Sequence, residues 1–213
     1  PLSDAEQVVE AVLAALTDRT RLVMLDHVTS PTALIFPIER LVSEIQGRGI
    51  DVLVDGSHAP AMVPLDLDAL GAAYYTGNCH KWMCAPKGAG FLHVRRDLVP
   101  AVISHGMNMR RPGRSRLHDL FDWIGTIDPT PWICVKDSIE FLESAFPGGA
   151  AGLAGRNRRL TLAARDLLCR ALDGEPPAPD SMLGTMATVV LPDEPQPDQM
   201  DFTTSPSPSL PLY

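Results

Sequence analysis

Residues 51–94 read DVLVDGSHAPAMVPLDLDALGAAYYTGNCHKWMCAPKGAGFLHV. Asp51 to Val54 is a short apolar run that reads as a fully buried strand and ends on Asp55. Pro64 to Leu70 carries a helical turn, Ala72 to Thr76 a second strand, and Gly90 to Val94 another after the loop APKGAG. Continuous apolar runs joined by helical segments predict an α/β fold, a mostly parallel sheet with helices on both faces.

Upstream, Arg21 to Asp26 (RLVMLD) is a further run of strand length, followed by a Thr-Ser-Pro-Thr turn. The pattern from Pro37 to Gln46 is helical and stops at Gly47 and Gly49. From Ser3 to Leu16, Val8, Val9, Val12, Leu13 and Leu16 recur at helical spacing, with Ser3 as N-cap and Glu6 at the third helical position. Downstream, Arg110, Arg111, Arg114 and Arg116 cluster around Pro112-Gly113 and read as a solvated loop; His105 in SHGMN lies just before them. Thr130 to Phe146 and Leu153 to Leu172 read as helices separated by Pro147-Gly148-Gly149. Met182 to Leu191 reads as a strand, and the Ser/Pro-rich stretch from Asp193 as disordered.

The chain has 213 residues, 45% of them hydrophobic, and a formal net charge of -8. This excludes a disulfide-stapled miniprotein and gives no electrostatic reason to bind nucleic acid or an anionic membrane surface. Cys79, Cys84, Cys134 and Cys169 have neither a disulfide framework nor a zinc-ligand spacing, and read as reduced thiols of a cytoplasmic protein with no metal. No apolar run reaches transmembrane length. No GxGxxG follows the early strands, and APKGAG precedes a strand where a dinucleotide fold would have a helix.

Lys81, Lys87 and Lys136 are the only lysines among 18 basic side chains. Lysines on loops are mostly solvated, and an aspartate after a strand mostly caps a turn. Lys81, however, directly follows one strand and Asp55 closes its neighbour, so both reach the rim at the carboxyl ends of the sheet, where ligands of α/β folds bind. An amine can form a Schiff base with the aldehyde of pyridoxal phosphate, and a carboxylate on the pyridine nitrogen keeps it protonated. Thr76, Asn78 and His80 offer donors to a phosphate, Gly77 lets the backbone bend toward it, and His58 is placed to donate to the ring's phenolic oxygen.

Three blocks, HVTSPTALIFPIERL, VDGSHAPAMVPLDLDALGAAYYTGNCHKWMCAPKGAGFLHVRR and FDWIGTIDPTPW, resemble the class V aminotransferase superfamily of pyridoxal-phosphate enzymes. They are most similar to its isopenicillin N epimerase-like members and more distantly to cysteine desulfurases, over about residues 20 to 170. The resemblance implies the large domain of pyridoxal-phosphate fold type I, with Lys81 as Schiff-base lysine and Asp55 on the pyridine nitrogen. It implies His58 at the phenolic oxygen and Asn78 and His80 near the phosphate, where relatives more often have serine at the Asn78 position. Thr126 looks like the threonine that reaches the phosphate of a neighbouring subunit, which implies a homodimer with a shared active site. The HVTSPT stretch matches a loop contacting the cofactor face, which makes Thr29 and His27 weaker candidates.

Relatives carry an upstream phosphate-binding turn and ring-stacking side chain, and a downstream small domain with a substrate arginine; this chain resembles their central part. Residues 1–150 are expected to form a partial cofactor-binding large domain, 151–192 an interdomain helix and the start of a small domain, and 193–213 a tail. Cys79 and Cys84 are expected to pack as small residues, so a desulfurase nucleophile is not assigned to them. The implied activity is at the α-carbon of an amino acid, nominally epimerisation or racemisation, with C-S lysis or transamination as alternatives. A non-catalytic remnant that dimerises or binds is the alternative from another class.

Overall fold

A computed structural model of the chain describes residues 1–102, 112–123 and 125–192. Helix α1 (Glu6–Ala14) is followed by strand β1 (Leu22–Asp26), helix α2 (Ile38–Gln46), strand β2 (Asp51–Gly56), the short helix α3 (Leu67–Leu70), strand β3 (Tyr74–Asn78) and strand β4 (Gly90–Val94). The strands form one four-stranded sheet in the order β1-β2-β3-β4. β1, β2 and β3 are parallel, as their helical crossovers require, and β4 runs antiparallel to β3. The connection 79–89 contains no helix to carry the chain back across the sheet, so β4 returns beside β3 in the opposite direction.

Ile38, Leu41, Val42 and Ile45 share one face of α2 and are essentially fully buried against Val52, Val54, Tyr75, Val8 and Val9. Each such side chain contributes roughly 1.5–3 kcal/mol by leaving water. Gln46 fastens the end of α2 to the start of β3, its amide donating to the Gly71 carbonyl at 2.9 Å and accepting from the Ala73 N–H at 2.8 Å. Pleating then separates the two faces of the sheet. Val52, Val54, Tyr75 and Phe91 enter the core, while Asp55, Thr76 and Asn78 alternate to the other side.

The N-terminal capping differs from the expected Ser3–Glu6 arrangement. Helix α1 starts after Ala5, the Asp4 carboxylate accepts from the Gln7 N–H at 3.2 Å, and Glu6 is drawn instead into an ion pair with Arg40 of α2. β2 is buried on alternate residues, not throughout. On β1, Leu22 and Met24 remain 51% and 65% exposed, so among the described residues helical cover of that strand lies on the α1–α2 side.

Past the sheet come a 3₁₀ turn (Arg96–Ala101) and helices α4 (Arg116–Phe121), α5 (Thr130–Ile133), α6 (Val135–Ala145) and α7 (Gly149–Ala171). The single helix expected over Thr130 to Phe146 is two, because the Trp132 indole N–H donates to the Gly90 carbonyl at 3.1 Å and holds α5 on β4 while α6 packs along α7. Met182 to Leu191 does not form the expected strand. Leu183 makes one bridge to Leu34, and its carbonyl then accepts from the Arg158 guanidinium at 2.9 Å, which removes a ladder acceptor. Arg165 of α7 is 4% exposed and grips Asp180 at 2.6 Å and Asp166 at 2.7 Å. His105, Arg110, Arg111 and the stretch from Asp193 lie outside the described residues.

Candidate active site

Asp55 stands near the end of β2, where its Oδ1 accepts from the Ser57 N–H at 2.9 Å and turns the chain so that His58 folds back over the rim. The Asp55 carbonyl accepts from the His27 N–H at 2.8 Å, which locks the ends of β1 and β2 together. Lys81 leaves β3 in the adjacent loop, and its Nζ lies 3.0 Å from His58 Nε2. Burial, then the lysine charge, holds His58 below the ordinary histidine range, with Asp55 and Asp26 opposing. The neutral imidazole therefore accepts the ammonium proton at Nε2 and carries its own hydrogen on Nδ1. That Nδ1 is buried and has no hydrogen-bond partner among the described residues.

Two glycines let the core press close behind the rim. A Cβ on Gly56 would lie 2.2 Å from the Tyr75 ring, and one on Gly77 would lie 2.4 Å from the Phe91 ring. Tyr75 and Phe91 are near-parallel, 6.4 Å apart, on the core face. Burial raises the Tyr75 phenol far above its ordinary value, so it stays protonated and donates to His27 Nδ1 at 2.9 Å. His27 is 4% exposed, turned toward Tyr75 and the core, and burial lowers its pKa.

Thr76 is the register partner of Asp55, and Asn78 lies two residues on along the same face. Both line a cleft of about 500 Å³ closed by Gly90, Leu92, His118, Asp122 and Trp132. His80 is oriented by a 2.9 Å bond from Nδ1 to the Ala89 carbonyl. Thr29 is buried and its hydroxyl is engaged within its own loop, with Thr32 Oγ1 at 2.6 Å and the Leu34 N–H at 2.8 Å. Thr126 is exposed in the segment before α5. The structure thus brings Asp55, His58 and Lys81 together and sets Thr76 and Asn78 in the neighbouring cleft, while the Thr29 hydroxyl is engaged in the loop after β1 and Thr126 is exposed before α5.

Asp26 was not singled out from the sequence. It is the register partner of Asp55 on β1, and its carboxyl pKa is raised by burial first and by Asp55 second, with His58 opposing. An acidic residue closing each of two neighbouring strands was the available signal. Cys79 is buried beside Ala85 and Ala89, with its thiol pKa raised by burial, while Cys84 is exposed. Among the described residues no group of three or more His, Cys, Asp or Glu side chains is placed to hold a metal, and no helix is long and apolar enough to cross a membrane.

The family model for aminotransferase class-V matches residues 2–115, which takes in β1 to β4 and the whole rim. The chain belongs to the class V aminotransferase family. This class V aminotransferase chain is 37% identical over 208 residues to the isopenicillin N epimerase of Amycolatopsis lactamdurans, covering 90% of itself and 51% of that protein. It is 32% identical over 205 residues to the putative L-cysteine desulfhydrase 1 of Oryza sativa subsp. japonica, covering 90% of itself and 41% of that protein. The chain spans about half the length of these curated relatives. In fold it is similar to the cysteine desulfurase CsdA of Escherichia coli (TM-score 0.62, 22% identity, 78% of this chain and 42% of that one). The apo cysteine desulfurase of Thermococcus onnurineus NA1 is similar too (TM-score 0.60, 19% identity, 78% and 42%). The fold is therefore that of the fold type I large domain, carried here by a four-stranded, mostly parallel sheet.

Proposed function

We propose that this chain is the central part of a pyridoxal-phosphate enzyme acting at the α-carbon of an amino acid, nominally as an epimerase or racemase. The observation that carries this is the Lys81 amine held 3.0 Å from His58 at the rim that Asp55 closes. The donor set fits the cofactor: among the described residues there are an amine with no ion pair, a carboxylate with a free oxygen, a buried His58 Nδ1 lacking a partner, and a cleft lined by Thr76 and Asn78. Pyridoxal phosphate, when bound, supplies a ring that withdraws electrons from an attached amino acid and makes its α-proton removable.

The residues of the chain do the rest. Lys81 would hold the aldehyde and, once displaced by the substrate amine, take the α-proton on Nζ and return it. Asp55 would keep a proton on the ring nitrogen, and His58 Nδ1–H would donate to the phenolic oxygen. Asn78 and His80, with Thr76, would serve the phosphate, as would Thr126 from a neighbouring subunit of a cytoplasmic homodimer. Thr29 would act through the shape of its loop. Residues 1–150 would form the partial large domain and 151–192 the start of the small one. Epimerisation is favoured over C-S lysis because the epimerase relative is the more similar, at 37% against 32% identity.

The test is to incubate the purified chain with pyridoxal phosphate, reduce with borohydride and map the labelled peptide. Label confined to Lys81 and lost in Asp55→Ala is the expected result. Equal label on Lys81, Lys87 and Lys136 would overturn the cofactor reading and favour a non-catalytic remnant.

A further inference from the structure

On the cofactor reading above, Asp55 alone would meet the ring nitrogen. We infer that Asp26 is the second carboxylate of that seat, a positioning residue that acts through Asp55 and makes the site select a cationic ring nitrogen over a neutral ring. Asp26 and Asp55 are register partners at the carboxyl ends of adjacent parallel strands. Such strands run about 4.8 Å apart, and register partners point to the same face. The Asp26 carboxylate makes no hydrogen bond or ion pair among the described residues, and Asp55 uses one oxygen on the Ser57 N–H.

The groups facing this pair are His58 from the loop after β2 and Lys81 from the loop after β3. Lys81 donates its hydrogen bond to His58 and not to either carboxylate. On the other flank the Thr29 hydroxyl is engaged within its own loop. Among the described residues, neither of these two aligned carboxylates has a cationic side chain as a hydrogen-bonded partner. A ring N–H⁺ meeting Asp55 would feel both, and at separations of this order in a half-buried site the second charge changes affinity severalfold. A solvated strand-end aspartate, the plain alternative, would show no preference for the ring nitrogen.

The experiment titrates wild type, Asp26→Asn and Asp26→Glu by tryptophan fluorescence with pyridoxal phosphate and with its 1-deaza analogue, in which C–H replaces the ring nitrogen. Trp82, beside Lys81, is the reporter. The expected result is that Asp26→Asn weakens pyridoxal phosphate about fivefold, leaves the deaza analogue within about twofold, and is rescued at least in part by Asp26→Glu. Because the two ligands are compared on the same variant, a general loss of folding lowers both together. Equal weakening of both ligands, or no change in either, would overturn the role of Asp26 while leaving the cofactor reading intact. A wild type that binds neither ligand would overturn both.

Discussion

Lys81 Nζ and His58 Nε2 lie 3.0 Å apart across the loops that follow β3 and β2, so the amine and the imidazole orient each other. The contact joins residues 23 positions apart and exists only because the two strands are neighbours. Replacing His58 with alanine removes the acceptor, and a hydrogen bond to a charged group contributes about 1.5–3 kcal/mol. His58→Ala is expected to slow borohydride-trapped labelling of Lys81 by ~10-fold or more, and His58→Gln, whose amide oxygen can accept, to recover part of it. Quantitative peptide mapping after timed trapping checks both.

A methyl group on Gly56 has nowhere to go, since the Tyr75 ring stands 2.2 Å from its ideal position. Overpacking of this kind costs about 1–3 kcal/mol. Gly56→Ala is expected to lower the urea midpoint accordingly without changing the slope of the transition. An unchanged midpoint would mean that β2 can shift away from Tyr75.

Arg165 sits almost wholly out of water between Asp166 and Asp180 and also donates to the Ala178 carbonyl at 3.5 Å. Asp180→Ala leaves the guanidinium short of one charged partner and removes one of the ties between α7 and the 3₁₀ turn after Pro179, where Arg158 still donates to the Asp180 carbonyl at 2.6 Å. A loss of ~2 kcal/mol is expected. Thermal denaturation is the measurement, and Asp166→Ala is the comparison that keeps the Asp180 contact.

Acid weakens the fold through two histidines. Burial lowers the pKa of both His27 and His58 below the unfolded value near 6.5. Below that value the unfolded chain binds more protons than the native one, so stability falls as pH drops toward the depressed native values and levels off above about 7. The unfolding midpoint is expected to fall between pH 7 and pH 5. His27→Gln is expected to flatten this dependence, because its amide oxygen can still accept from the Tyr75 hydroxyl at any of these pH values. Denaturant titrations across that range compare the two proteins.

Periodicity and punctuation made much of the scaffold readable in advance. The i, i+3, i+4, i+7 spacing of Ile38, Leu41, Val42 and Ile45 placed α2, and Gly47 ended it, because those signals are local and the interior rewards them. Gly90 to Val94 was placed with its bounds because the APKGAG loop isolates it. Local signals misled where a distant partner intervened: Glu6 was taken from its cap by Arg40, and the Leu183 carbonyl was claimed by Arg158 before a strand could extend.

The sequence by itself determined which side chains reach the rim. A strand ending on Asp55 and a lysine straight after the next strand must meet at the carboxyl edge of a parallel sheet, whatever the details of packing. The tertiary structure alone decided which of those groups bond to one another. Register set Asp26 beside Asp55, the Asp55–Ser57 turn swung His58 onto Lys81, and the Tyr75 ring above Gly56 drew His27 into the core. These outcomes depend on distances between chain-distant atoms, which sequence order does not encode and which close packing resolves.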